Sequence, residues 1–203
     1  MILRKKKSAS SLSVQPPART VLEHNLIRLR AELSLYRDQR KVAVLGQPGA
    51  GKSTLLDLIT LGRCSPRPVI GQQTDATNWS TSLNIPLLHH YEHTVFVDAP
   101  GYDTLAHPVE AFLKVFPFSE FDRLLLVLKG KIYESDDRLW QWLKSHSFSK
   151  KLLVARSFAE GLSDLELAEV RTEYAERFDG QAVMFSNRDK RGIEEIKAFV
   201  GIA

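Results

Sequence analysis

The chain has 203 residues, 43% hydrophobic and 26% charged, with a formal net charge of +4. That balance is ordinary for a globular chain, and the length suits one compact domain with an appendage better than two domains. No apolar run approaches the roughly 18 residues a membrane helix requires, and the single cysteine, Cys64, excludes an internal disulfide and fits a reducing, cytoplasmic setting.

Residues 1–19 read as a disordered tail: basic at Arg4, Lys5, Lys6 and Lys7, then serine-rich, then Pro16-Pro17. No apolar segment follows the basic cluster, which argues against a signal peptide. Residues 4–7 are either a solvated end or a contact for RNA or an anionic membrane surface. An amphipathic helix is expected over residues 20–39. Thr20 and Glu23 have capping-box spacing, and Leu22, Leu26, Leu29, Leu33 and Tyr36 recur on one face. That stripe packs either on its own domain or on the same helix of a second copy, a homodimer.

From residue 40 onward the chain reads as a single domain. The apolar run Lys41-Val42-Ala43-Val44-Leu45 leads into Gly46-Gln47-Pro48-Gly49-Ala50-Gly51-Lys52-Ser53-Thr54, and Leu55 to Ile59 begins a helix. A strand, a G-x-x-x-x-G-K-S loop and a helix in that order form a phosphate-binding loop. Glycines let successive N–H groups turn inward on phosphate oxygens, and the helix adds its positive end. By type and spacing, Lys52 is expected to reach the β- and γ-phosphates, and the Ser53 hydroxyl to bind Mg²⁺.

Residues 66–78 read as a long mobile loop, and 80–87 as an edge strand carrying Pro86. His89, His90 and His93 are expected as exposed turn residues without a metal role. The run Thr94-Val95-Phe96-Val97 then delivers Asp98 at a strand end with Gly101 three residues on. Asp98 is expected to hold Mg²⁺ through water, and the Gly101 amide to meet the γ-phosphate. Strands are expected at 123–128, 151–155 and 182–186. Helices are expected at 135–144, with Leu139, Trp142 and Leu143 inward, from a capping box at Ser163 and Glu166, and around Ile193 to Val200. Six strands alternating with helices make an α/β fold: a three-layer, mostly parallel sheet with its ligand at the strands' carboxyl ends.

Gly46 to Ser53, a threonine in the following loop, and Asp98-Ala99-Pro100-Gly101 stand in the order of the Ras-like P-loop GTPases. The chain resembles that family from residue 41 to about 200. It looks most like the Era- and TrmE-type bacterial branch and its immunity-related GTPase cousins. The resemblance implies GTP and GDP as ligands with Mg²⁺, and a threonine of the loop that caps the metal and senses the γ-phosphate. Thr74 is the first choice for that role and Thr77 the second. The guanine-reading motif departs from the family pattern, with Ser157, Phe158 and Glu160 superposing on its Thr, Lys and Asp. Glu160 keeps a carboxylate for the guanine N–H groups, and Phe158 could cover the base by stacking. Alternatively, this loop no longer reads guanine. Ser186-Asn187 stands where the family offers a backbone N–H to the base oxygen.

Many family members place Gln directly after D-x-x-G to orient the attacking water; here it is Tyr102, so slow intrinsic hydrolysis is expected, with Asp103 as an unsupported helper. The expectation is a GTP-hydrolysing switch. Its rivals are an ATPase or nucleotide-dependent kinase on the same loop, and a binding module with little hydrolysis. The RNA-binding domain that Era-type proteins append is expected to be missing, because the chain ends at Ala203.

Overall fold

A computed structural model describes residues 19–71, 78–105 and 108–202. Six strands, β1 (Arg40–Leu45), β2 (His89–Tyr91), β3 (Thr94–Asp98), β4 (Arg123–Lys129), β5 (Leu152–Ser157) and β6 (Ala182–Met184), form one sheet in the order β2-β3-β1-β4-β5-β6. Every pairing is parallel except that of the edge strand β2 with β3. Side chains alternate between the faces: Ala43 and Leu45 of β1 join one core, Val42 and Val44 the other. The second core is covered by α2 (Lys52–Ile59) and α6 (Ile193–Val200). The first is covered by α1 (Val21–Ser34), α3 (Val109–Val115), α4 (Glu134–Ser145) and α5 (Asp164–Arg177). Because β1 lies between β3 and β4, the chain turns opposite ways on its two sides, and the crevice this opens lies at the carboxyl end of β1. Among the described residues no helix is long and apolar enough to cross a membrane.

The capping box opens α1: Thr20 Oγ1 accepts from the Glu23 N–H at 3.2 Å, and the Thr20 N–H donates to Glu23 Oε2 at 2.7 Å. The helix stops at Ser34, short of the expected 39. Leu26, Leu29 and Leu33 are buried in the chain's own core, so this stripe is not free to face a second copy.

Three further expectations are corrected. Residues 80–87 form no strand, and the edge strand is β2, three residues long. Polar side chains of α1 take the carbonyls a ladder would have used: Asn25 Nδ2 donates to Trp79 O and Ser82 O, both at 2.8 Å, and the Arg28 guanidinium donates to Leu83 O and Ile85 O. His89 is buried within β2, its ring Nδ1 2.7 Å from the Pro66 carbonyl, rather than exposed in a turn. Trp140, not Trp142, is the fully buried indole of α4; Trp142 is half-buried against Phe118 and His146. Finally, α3 was not foreseen. It leads into a cluster of Phe112, Phe116, Phe118 and Phe121 rings that closes the bottom of the first core.

Candidate functional site

The loop between β1 and α2 owes its shape to glycine. Gly46, Gly49 and Gly51 all have positive φ, and a Cβ at Gly46 would lie 2.3 Å from the Val127 carbonyl oxygen. Only a residue without a side chain allows β1 to leave the sheet so close to β4. Gly51, in the left-handed region at φ 96°, caps α2, whose first residues are Lys52, Ser53 and Thr54. Lys52 is buried and folds back over the loop, donating to Gly46 O at 2.9 Å and Gln47 O at 3.1 Å. Burial pushes its pKa down, and the nearby Asp98 charge opposes that shift. A buried ammonium with carbonyls as its partners is matched to an incoming anion. Ala50 is buried, and its N–H is turned back to Gln47 O at 3.2 Å.

Beside it, β3 ends in the buried Asp98, whose Oδ2 accepts from the Ser53 hydroxyl at 2.5 Å. A hydroxyl and a carboxylate oxygen, drawn together from the start of α2 and the end of β3, are hard oxygen donors of the kind Mg²⁺ takes, with phosphate and water to complete its shell. Among the described residues no group of three or more His, Cys, Asp or Glu is placed to hold a metal ion, so an ion here would depend on that phosphate. Gly101 lies against the loop: a Cβ there would meet the Pro48 ring at 2.5 Å. The segment after β3 therefore lies close against the phosphate loop at Pro48. Tyr102 then turns inward and is completely buried, its hydroxyl donating to Asp136 Oδ1 at 2.7 Å. Asp103 is exposed, with φ 65°. Thr74 and Thr77 lie outside the described residues.

The other end of the site is made by the loops after β5 and β6. Ser157 and Ser186 are fully buried and serve the loops themselves. Ser157 Oγ donates to Leu128 O at 3.1 Å; Ser186 Oγ accepts from the Arg188 and Asp189 N–H groups at 3.0 and 3.1 Å. The Ala159 N–H donates to Phe185 O, tying the two loops together. Asn187 reaches the phosphate loop, its Nδ2 3.5 Å from where a Cβ on Gly51 would stand. Phe158 points outward in the left-handed region, 42% exposed, with the Lys129 ammonium 5.2 Å from its ring centre. Glu160 Oε1 is 3.6 Å from the Arg188 guanidinium, and its Oε2 is buried without a hydrogen-bond partner.

Four residues of this region were not anticipated. Gln47 Nε2 donates to Asp136 Oδ1 at 2.9 Å and to Ser135 Oγ at 3.0 Å, and the Tyr133 N–H donates to Asp136 Oδ2 at 2.9 Å. The one signal available in the sequence was an acidic cluster, Glu134, Asp136 and Asp137, in the first turn of α4. Such a cluster reads equally well as a favourable helix start.

Comparisons with known proteins point the same way. A family model described as 50S ribosome-binding GTPase matches residues 41–157. No curated protein matches the chain. Among solved structures, the FeoB G-domain from Methanococcus jannaschii is similar at 19% identity and a TM-score of 0.51, over 80% of this chain and 95% of that one. An S. thermophilus NFeoB variant bound to GDP·AlF4⁻ is similar at 16% identity and a TM-score of 0.53, over 79% of this chain and 63% of that one. A bacterial selenocysteine-specific elongation factor, EF-Sec, is similar at 17% identity and a TM-score of 0.51, over 81% of this chain but 28% of that one. At these identities the likeness is one of fold.

Proposed function

This chain belongs to the 50S ribosome-binding GTPase family, and we propose that it binds GTP with Mg²⁺, hydrolyses it to GDP and phosphate, and acts as a nucleotide-dependent switch. The observation that carries this reading is the 2.5 Å contact between Ser53 and Asp98 beside a buried Lys52. In this reading the loop amides and Lys52 hold the β- and γ-phosphates and offset charge that builds on the transferring phosphoryl group. Ser53 and Asp98 would hold the metal, which would supply positive charge to offset that of the phosphates. The Gly101 amide meets the γ-phosphate, and Thr74 is the proposed loop residue that closes on the metal. Asp98-Ala99-Pro100-Gly101 supports a place in the Era- and TrmE-type branch.

At the base end, Glu160 would accept from the guanine ring N–H and exocyclic amine, Phe158 would stack on the base, and Asn187 would offer its backbone N–H. Because Tyr102 is buried against α4, it is not placed to orient an attacking water, and slow turnover follows. The same burial favours a second reading, a module that binds nucleotide tightly and hydrolyses very little. Single-turnover phosphate release from GTP, with Lys52→Ala as the blank, separates the two. Release above the blank supports the GTPase and release equal to it supports the module. Competition by ATP as tight as that by GTP would end the guanine assignment.

A further inference from the structure

One buried carboxylate joins three separate parts of the chain. Asp136, in the first turn of α4, is 2% exposed. It accepts from the Tyr102 hydroxyl and the Gln47 amide on Oδ1, at 2.7 and 2.9 Å, and from the Tyr133 N–H on Oδ2 at 2.9 Å. Gln47 belongs to the phosphate loop, and Tyr102 directly follows Gly101. Burial raises the pKa of Asp136, while the bonds from Tyr133, Tyr102 and Gln47 pull it back. The Tyr102 phenol is held well above its ordinary pKa by burial and by the Asp136 charge, so it remains a donor. Its ring packs 6.1 Å from that of Phe112 in α3. Gly101 is therefore fixed on both sides: ahead by contact with Pro48, behind by Tyr102 anchored to α4.

We propose that Asp136 is a positioning residue which, through Tyr102 and Gln47, sets the Gly101 amide at the spacing from the phosphate loop that a third phosphate needs. The inference rests on the GTP-binding reading above. Its consequence is selective, because a diphosphate does not reach Gly101 and gains little from the tie, whereas a triphosphate gains directly. Tyr102 then has a structural task in place of the water-orienting one usually found at its position, and the start of α4 feels whether the third phosphate is present.

The test compares the affinities of GDP and a non-hydrolysable GTP analogue, both with Mg²⁺, for the unaltered chain, Tyr102→Phe and Asp136→Asn. Tyr102→Phe keeps the ring in the core and removes a single donor, so it carries the test even if Asp136→Asn does not fold. The analogue is expected to bind Tyr102→Phe about tenfold more weakly than the unaltered chain, the usual scale for a hydrogen bond to a charged group. GDP affinity is expected to stay within about twofold, the scale of a neutral peripheral change. The double variant should lose little beyond Asp136→Asn alone, since the Tyr102 bond is one of those that Asp136→Asn already disturbs. Loss in step for both nucleotides, or for neither, overturns the proposal. An unaltered chain that binds neither nucleotide fails at the earlier step, taking the GTP-binding reading down with it.

Discussion

Around the phosphate loop, backbone atoms crowd so closely that side chains are excluded. A methyl group at Gly46 would sit 2.3 Å from the Val127 carbonyl oxygen, and one at Gly101 would sit 2.5 Å from the Pro48 ring. Across the site, at the end of β5, Phe158 stands 42% exposed and the Glu160–Arg188 ion pair is long at 3.6 Å. In the proposed reading, the phosphate end is specified by steric necessity and the base end by side-chain chemistry on a short loop. A phosphate-binding backbone admits few sequences, whereas a base can be met by several combinations of ring and carboxylate.

Variants at the two ends should therefore fail differently. Lys52→Ala is expected to have the largest effect, slowing single-turnover phosphate release on the order of 100- to 1000-fold, the scale for loss of one preorganised charge-stabilising group. Gly46→Ala should cost about 2–3 kcal/mol of stability in urea unfolding, because it adds both a clash and an unfavourable backbone region. A loss below ~0.5 kcal/mol would show that β1 and β4 can part freely. At the base end, Glu160→Gln should weaken GTP about tenfold and leave ATP unchanged. Phe158→Ala should weaken both by about tenfold, because stacking does not distinguish bases. If Glu160→Gln changed GTP and ATP equally, the carboxylate would have no part in choosing guanine. Thr20→Ala, far from either end, should cost about 1 kcal/mol in thermal unfolding by removing the α1 cap, with nucleotide affinity untouched.

What could be read from the sequence follows the same division. The strand–loop–helix around Gly46 to Thr54 and the strand ending at Asp98 are local patterns, and they fold as such. The capping boxes at Thr20 and Ser163 likewise form from neighbouring residues. The expectations that failed depended on distant partners. Residues 80–87 alternate weakly, but their carbonyls are claimed by Asn25 and Arg28 of α1, more than fifty positions away, so the edge strand forms later, at His89–Tyr91. Trp140 and Trp142 are two residues apart on one helix, and what turns Trp140 inward is Phe178, at the end of α5. Asp136 looked like one acid among several at a helix start. Only the fold brings Tyr102 and Gln47 to it.

The central claim is that Ser53 and Asp98 share a metal beside a bound triphosphate. Calorimetric titration of GTP into the chain, with Mg²⁺ and again with the metal chelated, addresses it most directly. The account predicts at least about tenfold tighter binding with Mg²⁺, and about tenfold or more of that gain lost in Asp98→Asn. Equal affinity with and without the ion, or an Mg²⁺ effect that survives Asp98→Asn unchanged, would contradict it.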